Sequence, residues 1–151
     1  MHGTTRQTND NDNANNTTRH AAKTTTTRTT TLTPTALPTI TITSTTLGVT
    51  SGSTTNDSSI SLTFTCNRPT TDFGSADITV TNGPLSGFTS TSSTIYTATF
   101  TPTAGGLTTI DVAANKFTDA TLNGNISATQ FTWTYNAPTS PILVQDLSLI
   151  H

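Results

Sequence analysis

Glutamate does not occur in this chain of 151 residues, and all eight acidic side chains are aspartates. Histidine stands only at His2, His20 and His151, so the long middle of the chain has none. Cysteine occurs once, as Cys66, and tryptophan once, as Trp133. Each shortage removes a class of chemistry. A lone cysteine makes no internal disulfide, and Cys66 has no Cys or His neighbour spaced as a metal ligand. Without histidine, glutamate or a second cysteine, the common acid–base and nucleophilic arrangements lack members. No enzymatic activity is expected. No run approaches the ~18 apolar residues of a bilayer span, so no direct membrane insertion is expected either. Met1-His2-Gly3 leads into Thr, Asn and Asp rather than an apolar segment, and no signal peptide is visible.

Charge of either sign is scarce, at 9% of residues, for a net of −2. What there is lies unevenly. Arg6, Arg19, Lys23 and Arg28 precede Pro34, against Asp10 and Asp12. From there to Ala137 the only cations are Arg68 and Lys116, facing Asp57, Asp72, Asp77, Asp111 and Asp119. No basic stripe crosses the body, which argues against nucleic acid as a partner. The basic N-terminal stretch reads as a solvated tail rather than an anion site.

What the chain has in abundance is threonine, roughly a quarter of all residues and far above ordinary usage. Threonine favours strands, while Glu, Lys, Leu and Ala, the good helix formers, are few or missing. From Thr39 onward a period of two dominates. Ile40 and Ile42 alternate with Thr39, Thr41 and Thr43. Ile60, Leu62 and Phe64 alternate with Ser61, Thr63 and Thr65. The same pattern returns at Ile78 and Val80, at Tyr96, Ala98 and Phe100, and at Ile110 and Val112. It ends at Phe131, Trp133 and Tyr135. Strands that are apolar on one side and threonine on the other have one buried face. Asn56-Asp57, Asn82-Gly83-Pro84, Gly105-Gly106 and Asn123-Gly124 punctuate the runs as turns. Six strands are clear, and a seventh is predicted around Pro84 to Phe88. About 100 residues of short strands at this spacing predict an all-β Greek-key β-sandwich of about seven strands.

Residues 1–35 contain almost no large apolar side chain before Leu32, so they cannot bury enough surface to offset ordering. A disordered N-terminal tail or linker is expected there, with Thr24 to Thr31 suited by composition to O-glycosylation. The folded domain is expected over 36–137. Beyond it, Ser140-Pro141-Ile142-Leu143 echoes Leu37-Pro38-Thr39-Ile40, the two prolines standing 103 positions apart. Pro141-Ile142-Leu143-Val144 therefore reads as the start of a truncated next repeat. The remaining residues to His151 read as a non-native end, and the chain as a fragment.

Several ordered segments resemble the bacterial Ig-like repeat family of large surface and adhesin-type proteins. They are Ser61 to Thr65, Asp77 to Gly83, Tyr96 to Pro102, Phe117-Thr118-Asp119 and Phe131 to Tyr135, spread over about residues 36 to 137. The resemblance implies an Ig-like sandwich, present in many copies in an extracellular, cell-surface stalk. It implies neighbouring Ig-like repeats as partners and brings no catalytic residue. Repeats of this type often carry Glu just after the second strand, where this chain has Cys66-Asn67-Arg68. They commonly carry Asp after the final aromatic strand, where this chain has Asn136, one carboxylate fewer for a calcium ion at a repeat junction.

Four sets of residues carry candidate chemistry, each with a plainer alternative. Asp119, Asn123 and Asn125 supply three oxygen ligands within one loop, which makes calcium the one ion to consider and leaves no other cofactor expected. Their spacing is not that of an EF-hand, and Asn and Gly making a turn is the plainer account. Asp72 and Asp77 are close enough to pair as acid and base, but one would need a strongly shifted pKa. Phe131, Trp133 and Tyr135, with Tyr96, could form a carbohydrate-binding platform, although alternation puts the first three on one strand face, where core packing is expected. Cys66 reads as a buried small hydrophobe. The row Thr39, Thr41 and Thr43 reads as an uncharged solvent face, there being no short repeat to build an ice-matching array. The reading is a non-catalytic structural and adhesive repeat module acting as a spacer; the alternative is a carbohydrate- or calcium-binding module.

Overall fold

The computed structural model describes residues 36–140; the expected tail over 1–35, its glycosylation, the next repeat and the non-native end lie outside the described residues or at their margin. Eight strands form two four-stranded sheets. They are β1 (Ile40–Ser44), β2 (Ser53–Thr55), β3 (Ile60–Cys66), β4 (Ile78–Val80), β5 (Leu85–Ser90), β6 (Ile95–Phe100), β7 (Gly106–Val112) and β8 (Phe131–Tyr135). A single 3₁₀ turn, Ser75–Asp77, leads into β4. One sheet has the order β1-β3-β6-β5 and the other β2-β8-β7-β4. Every pairing is antiparallel except β2 with β8. This is an Ig-like β-sandwich, with its first strand divided between the two sheets.

The seven expected strands are present, and β2 is an eighth. Ser53-Thr54-Thr55 has no apolar residue and is too short to display a period, so nothing in its own sequence marks it. Its strand conformation comes from its partner: Ser53 faces Trp133, Thr54 faces Thr134 and Thr55 faces Tyr135. Gly52 makes the swing from β1's sheet to β2's possible. Its φ of 88° lies where a side chain is strained, and its N–H donates to Thr132 O at 2.7 Å.

The alternation seen in the sequence becomes the two-layer core. β3 shows it most plainly, with Ile60, Leu62, Phe64 and Cys66 buried and Ser61 and Thr65 exposed between them. Phe64, Phe100, Ile110, Val112 and Trp133 are fully enclosed. Phe100 meets Trp133 edge to face, ring centroids 6.3 Å apart, which joins the layers. Two core aromatics come from loops. Phe73 sits at the centre of an aromatic group, 5.0 Å from Tyr96, 5.3 Å from Phe117, 5.7 Å from Phe88 and 5.9 Å from Phe64.

Register defines two poles. Ile40 opposes Cys66, and Thr65 opposes Ile95, so β1 begins where β3 ends and β6 begins. Ile126 N–H donates to Pro38 O at 2.9 Å, which brings the long β7–β8 loop to this entry pole. At the other pole Gly106 opposes Tyr135, and Asn136 N–H donates to Thr55 O at 2.7 Å, where the chain exits. Gly83 permits close packing there, since a Cβ would stand 2.1 Å from Thr101 O.

Adjacent residues of β3 should differ sharply on truncation. Leu62→Ala empties core volume and should cost about 2–5 kcal/mol. Thr63→Ala, on the outer face, should cost less than about 1 kcal/mol. Urea denaturation of both variants checks this; equal losses would contradict the assigned faces.

Candidate functional site

The polar residues singled out in the sequence collect at the entry pole, in the β3–β4 and β7–β8 loops. Asp72 joins the two loops. Its carboxylate accepts from Thr70 Oγ1 at 2.6 Å, from Thr118 N–H at 3.0 Å and from Thr118 Oγ1 at 2.8 Å. Burial acts to raise its pKa, but the hydrogen bonds from Thr70 and Thr118 outweigh it and hold the carboxyl below its ordinary value. Asp72 therefore stays ionised near neutral pH, the opposite of what a general acid there requires. Asp77 accepts from Gly74 N–H at 2.8 Å and closes the 3₁₀ turn. The two aspartates serve different partners.

Asp119, only 6% exposed, organises the turn that follows it. Its Oδ1 accepts from Thr121 N–H at 2.9 Å, Thr121 Oγ1 at 2.8 Å and Asn123 N–H at 3.0 Å. Its Oδ2 accepts from Asn123 Nδ2 at 3.0 Å. The Asn123 side chain is the largest influence on its pKa; burial opposes, and the remaining bonds add to it, so the carboxyl lies far below the ordinary range. Asn125 is buried and uses its amide fully. Oδ1 accepts from Lys116 N–H at 2.7 Å and Phe117 N–H at 3.0 Å, while Nδ2 donates to Ala113 O at 2.9 Å and Ile126 O at 2.8 Å. The oxygens of Asp119 and Asn125 thus face N–H and O–H donors, and Asn123 turns its Nδ2 to Asp119. The three residues build a loop that has little regular structure of its own. Among the described residues, no group of three or more His, Cys, Asp or Glu side chains is placed to hold a metal ion.

Of the aromatic candidates, Phe131, Trp133 and Tyr96 lie in the core, and Tyr135 packs half-buried against it. Trp133 has no exposed surface, and its Nε1–H donates to Thr55 Oγ1 at 3.0 Å. Tyr96 is buried and donates from its hydroxyl to Thr70 O at 2.9 Å. Neither ring offers solvent a face for a sugar. Burial pushes the Cys66 thiol up to about 11, so it is protonated and enclosed at neutral pH. The threonine row of β1 continues across its sheet, where Thr43, Thr63, Thr97 and Thr89 follow one another as Cα partners. Strand register, not sequence period, aligns them. The seam between the sheets holds two shallow hollows of about 200 and 300 Å³, which share Ile42, Ser51 and Phe131. No helix among the described residues is long and apolar enough to cross a membrane.

A family model described as bacterial Ig-like domain matches residues 34–135, the span that holds all eight strands. The chain belongs to the bacterial Ig-like domain family. No curated protein and no solved structure matches it. The family is generally non-enzymatic and consists of structural modules, in keeping with an Ig-like domain whose polar loop residues hold one another.

The Asp119 turn should be acid-sensitive. A carboxyl whose pKa is lowered on folding stabilises the fold above the unfolded carboxylate range, about pH 4, and that contribution is lost as pH falls through the folded value. Asp119→Asn should be less stable than the parent at pH 7 and lose less on acidification. Thermal midpoints between pH 7 and pH 2 check this; parallel curves for the two proteins would contradict it.

Proposed function

We propose that this Ig-like domain is a tension-bearing spacer in an extracellular, tandem-repeat bacterial surface protein, holding neighbouring modules apart along a stalk. One observation carries the reading: the chain enters and leaves at opposite poles, and its end strands on the second sheet, β2 and β8, run parallel. Tension between the poles draws β2 toward the entry and β8 toward the exit. The two strands are then asked to slide, which loads their cross-strand bonds together instead of one after another. The paired residues are flanked by Gly52 N–H to Thr132 O and Asn136 N–H to Thr55 O, both 2.7 Å, with the Trp133 indole bond beside them. The scarcity of charge and the single buried cysteine suit such a part, because neither salt nor redox change has much to act on. The adhesion partner of the stalk, whether a cell surface or a glycan, would be met by another part of the parent protein.

Pulling the chain by its two ends tests this. The module should give one sharp unfolding event, and Thr55→Pro, which removes the β2 N–H on the edge that faces β8, where the Thr55 carbonyl meets Asn136, should lower the force markedly. Leu62→Ala, which weakens the core but not this ladder, should lower it less. Gradual yielding, or a force unchanged by Thr55→Pro, would rule the reading out.

Thermal unfolding with and without millimolar calcium separates the spacer from a calcium-binding module. The midpoint should not move. A clear rise would mean that the native state binds the ion, and the Asp119 loop would become its site.

A further inference from the structure

Three non-glycine residues in the described chain have positive φ: Asn82, Asn115 and Leu122. Asparagine tolerates that conformation; leucine is strained in it. Leu122 has φ 62° and is also 82% exposed. Neither burial nor backbone preference accounts for it in the isolated module. Its position is nevertheless firmly set. Leu122 N–H donates to Asp119 O at 2.9 Å, and the Asp119 carboxylate grips the residues on either side, Thr121 and Asn123. The turn holds an apolar side chain out from the entry pole. Leu37 and Ile126, both about half exposed, flank the Pro38–Ile126 hydrogen bond at the same pole.

On the tandem reading a following copy would begin at Pro141, and its connection says what would meet that pole. If Pro141 corresponds to Pro38, five residues separate it from Tyr135, the last residue of β8. Those five and the two bonds that flank them span at most about 20 Å when fully extended. Such a connection leaves the exit pole of one copy and the entry pole of the next close together. At the exit pole Asn82-Gly83-Pro84, Thr101 to Gly105 and Asn136 to Ser140 contain no charged residue, and Asn56 to Ser59 carries one, Asp57, whose carboxylate accepts a hydrogen bond from Thr55 Oγ1.

We propose that Leu122, held out by the Asp119 turn and supported by Leu37 and Ile126, docks on the exit pole of the preceding copy of this module and stiffens the junction. This rests on the tandem-spacer reading and goes beyond it by naming the contact.

The test duplicates residues 38–140 within the full chain, so that a second copy follows Ser140 in native register. The duplicated chain should melt several degrees above the original. Leu122→Gly, placed only in the second copy, should abolish that gain. In the original single-module chain the same substitution should leave the midpoint unchanged or raise it, since glycine relieves the strained φ. Leu122→Asp in the second copy should also remove the gain. The proposal is overturned if duplication brings no rise, or if Leu122→Gly lowers single and duplicated chains alike. Small-angle scattering separates the two readings. An extended duplicate indifferent to Leu122 overturns the docking contact and leaves the spacer standing. A folded-back or freely jointed duplicate overturns both.

Discussion

The indole of Trp133 is the point on which the sandwich turns. Its ring has no solvent exposure and meets Phe100 of the opposite sheet edge to face. Its N–H reaches Thr55 on β2. One side chain thus joins the two layers and fixes the strand that would otherwise have least reason to stay. β2 has three residues and buries no side chain fully. Tryptophan suits the place because it offers a large apolar body and one donor, and burial requires that the donor be satisfied. The parallel β2–β8 pairing, and with it the division of the first strand between sheets, is secured by this join.

Much of the architecture was legible because alternation survives where one face of a strand is buried and the other is wet. β1, β3, β6 and β8 carry that signal unbroken, and their inward residues are the core. The signal fails where a residue's environment comes from distant partners. β2 is held by a strand some eighty residues later and shows no pattern of its own. Phe73 and Phe117 stand in loops outside any period, yet both pack at the centre of the aromatic group. An isolated phenylalanine in a polar loop was the available sign, but it does not say which core it enters.

The entry-pole loops show a different limit. Asp119, Asn123 and Asn125 were identifiable as a polar cluster, but the same side chains serve equally well as ligands or as scaffold. Only geometry decides which atoms point where. Asn125 caps two backbone N–H groups and supports two carbonyls, so a loop without regular ladders keeps its polar groups paired. Asp72 does similar work between loops 46 residues apart in sequence, a distance over which neither local spacing nor propensity carries information.

The pairing of β2 with β8 also constrains the order in which the structure can form. A chain that emerges N-terminus first presents β1 and β2 early, but β2 has no partner until residues 131–135 have followed. Contacts so distant in sequence close slowly, because loop entropy must be overcome before the pairing contributes. The hairpin of β5 and β6 can assemble on the way, whereas closure waits for the last strand. A chain still being translated would therefore carry this domain as an open, compliant thread until its final segment is clear. It would then become a stiff unit in a single step, with the strand that arrives last completing the clamp.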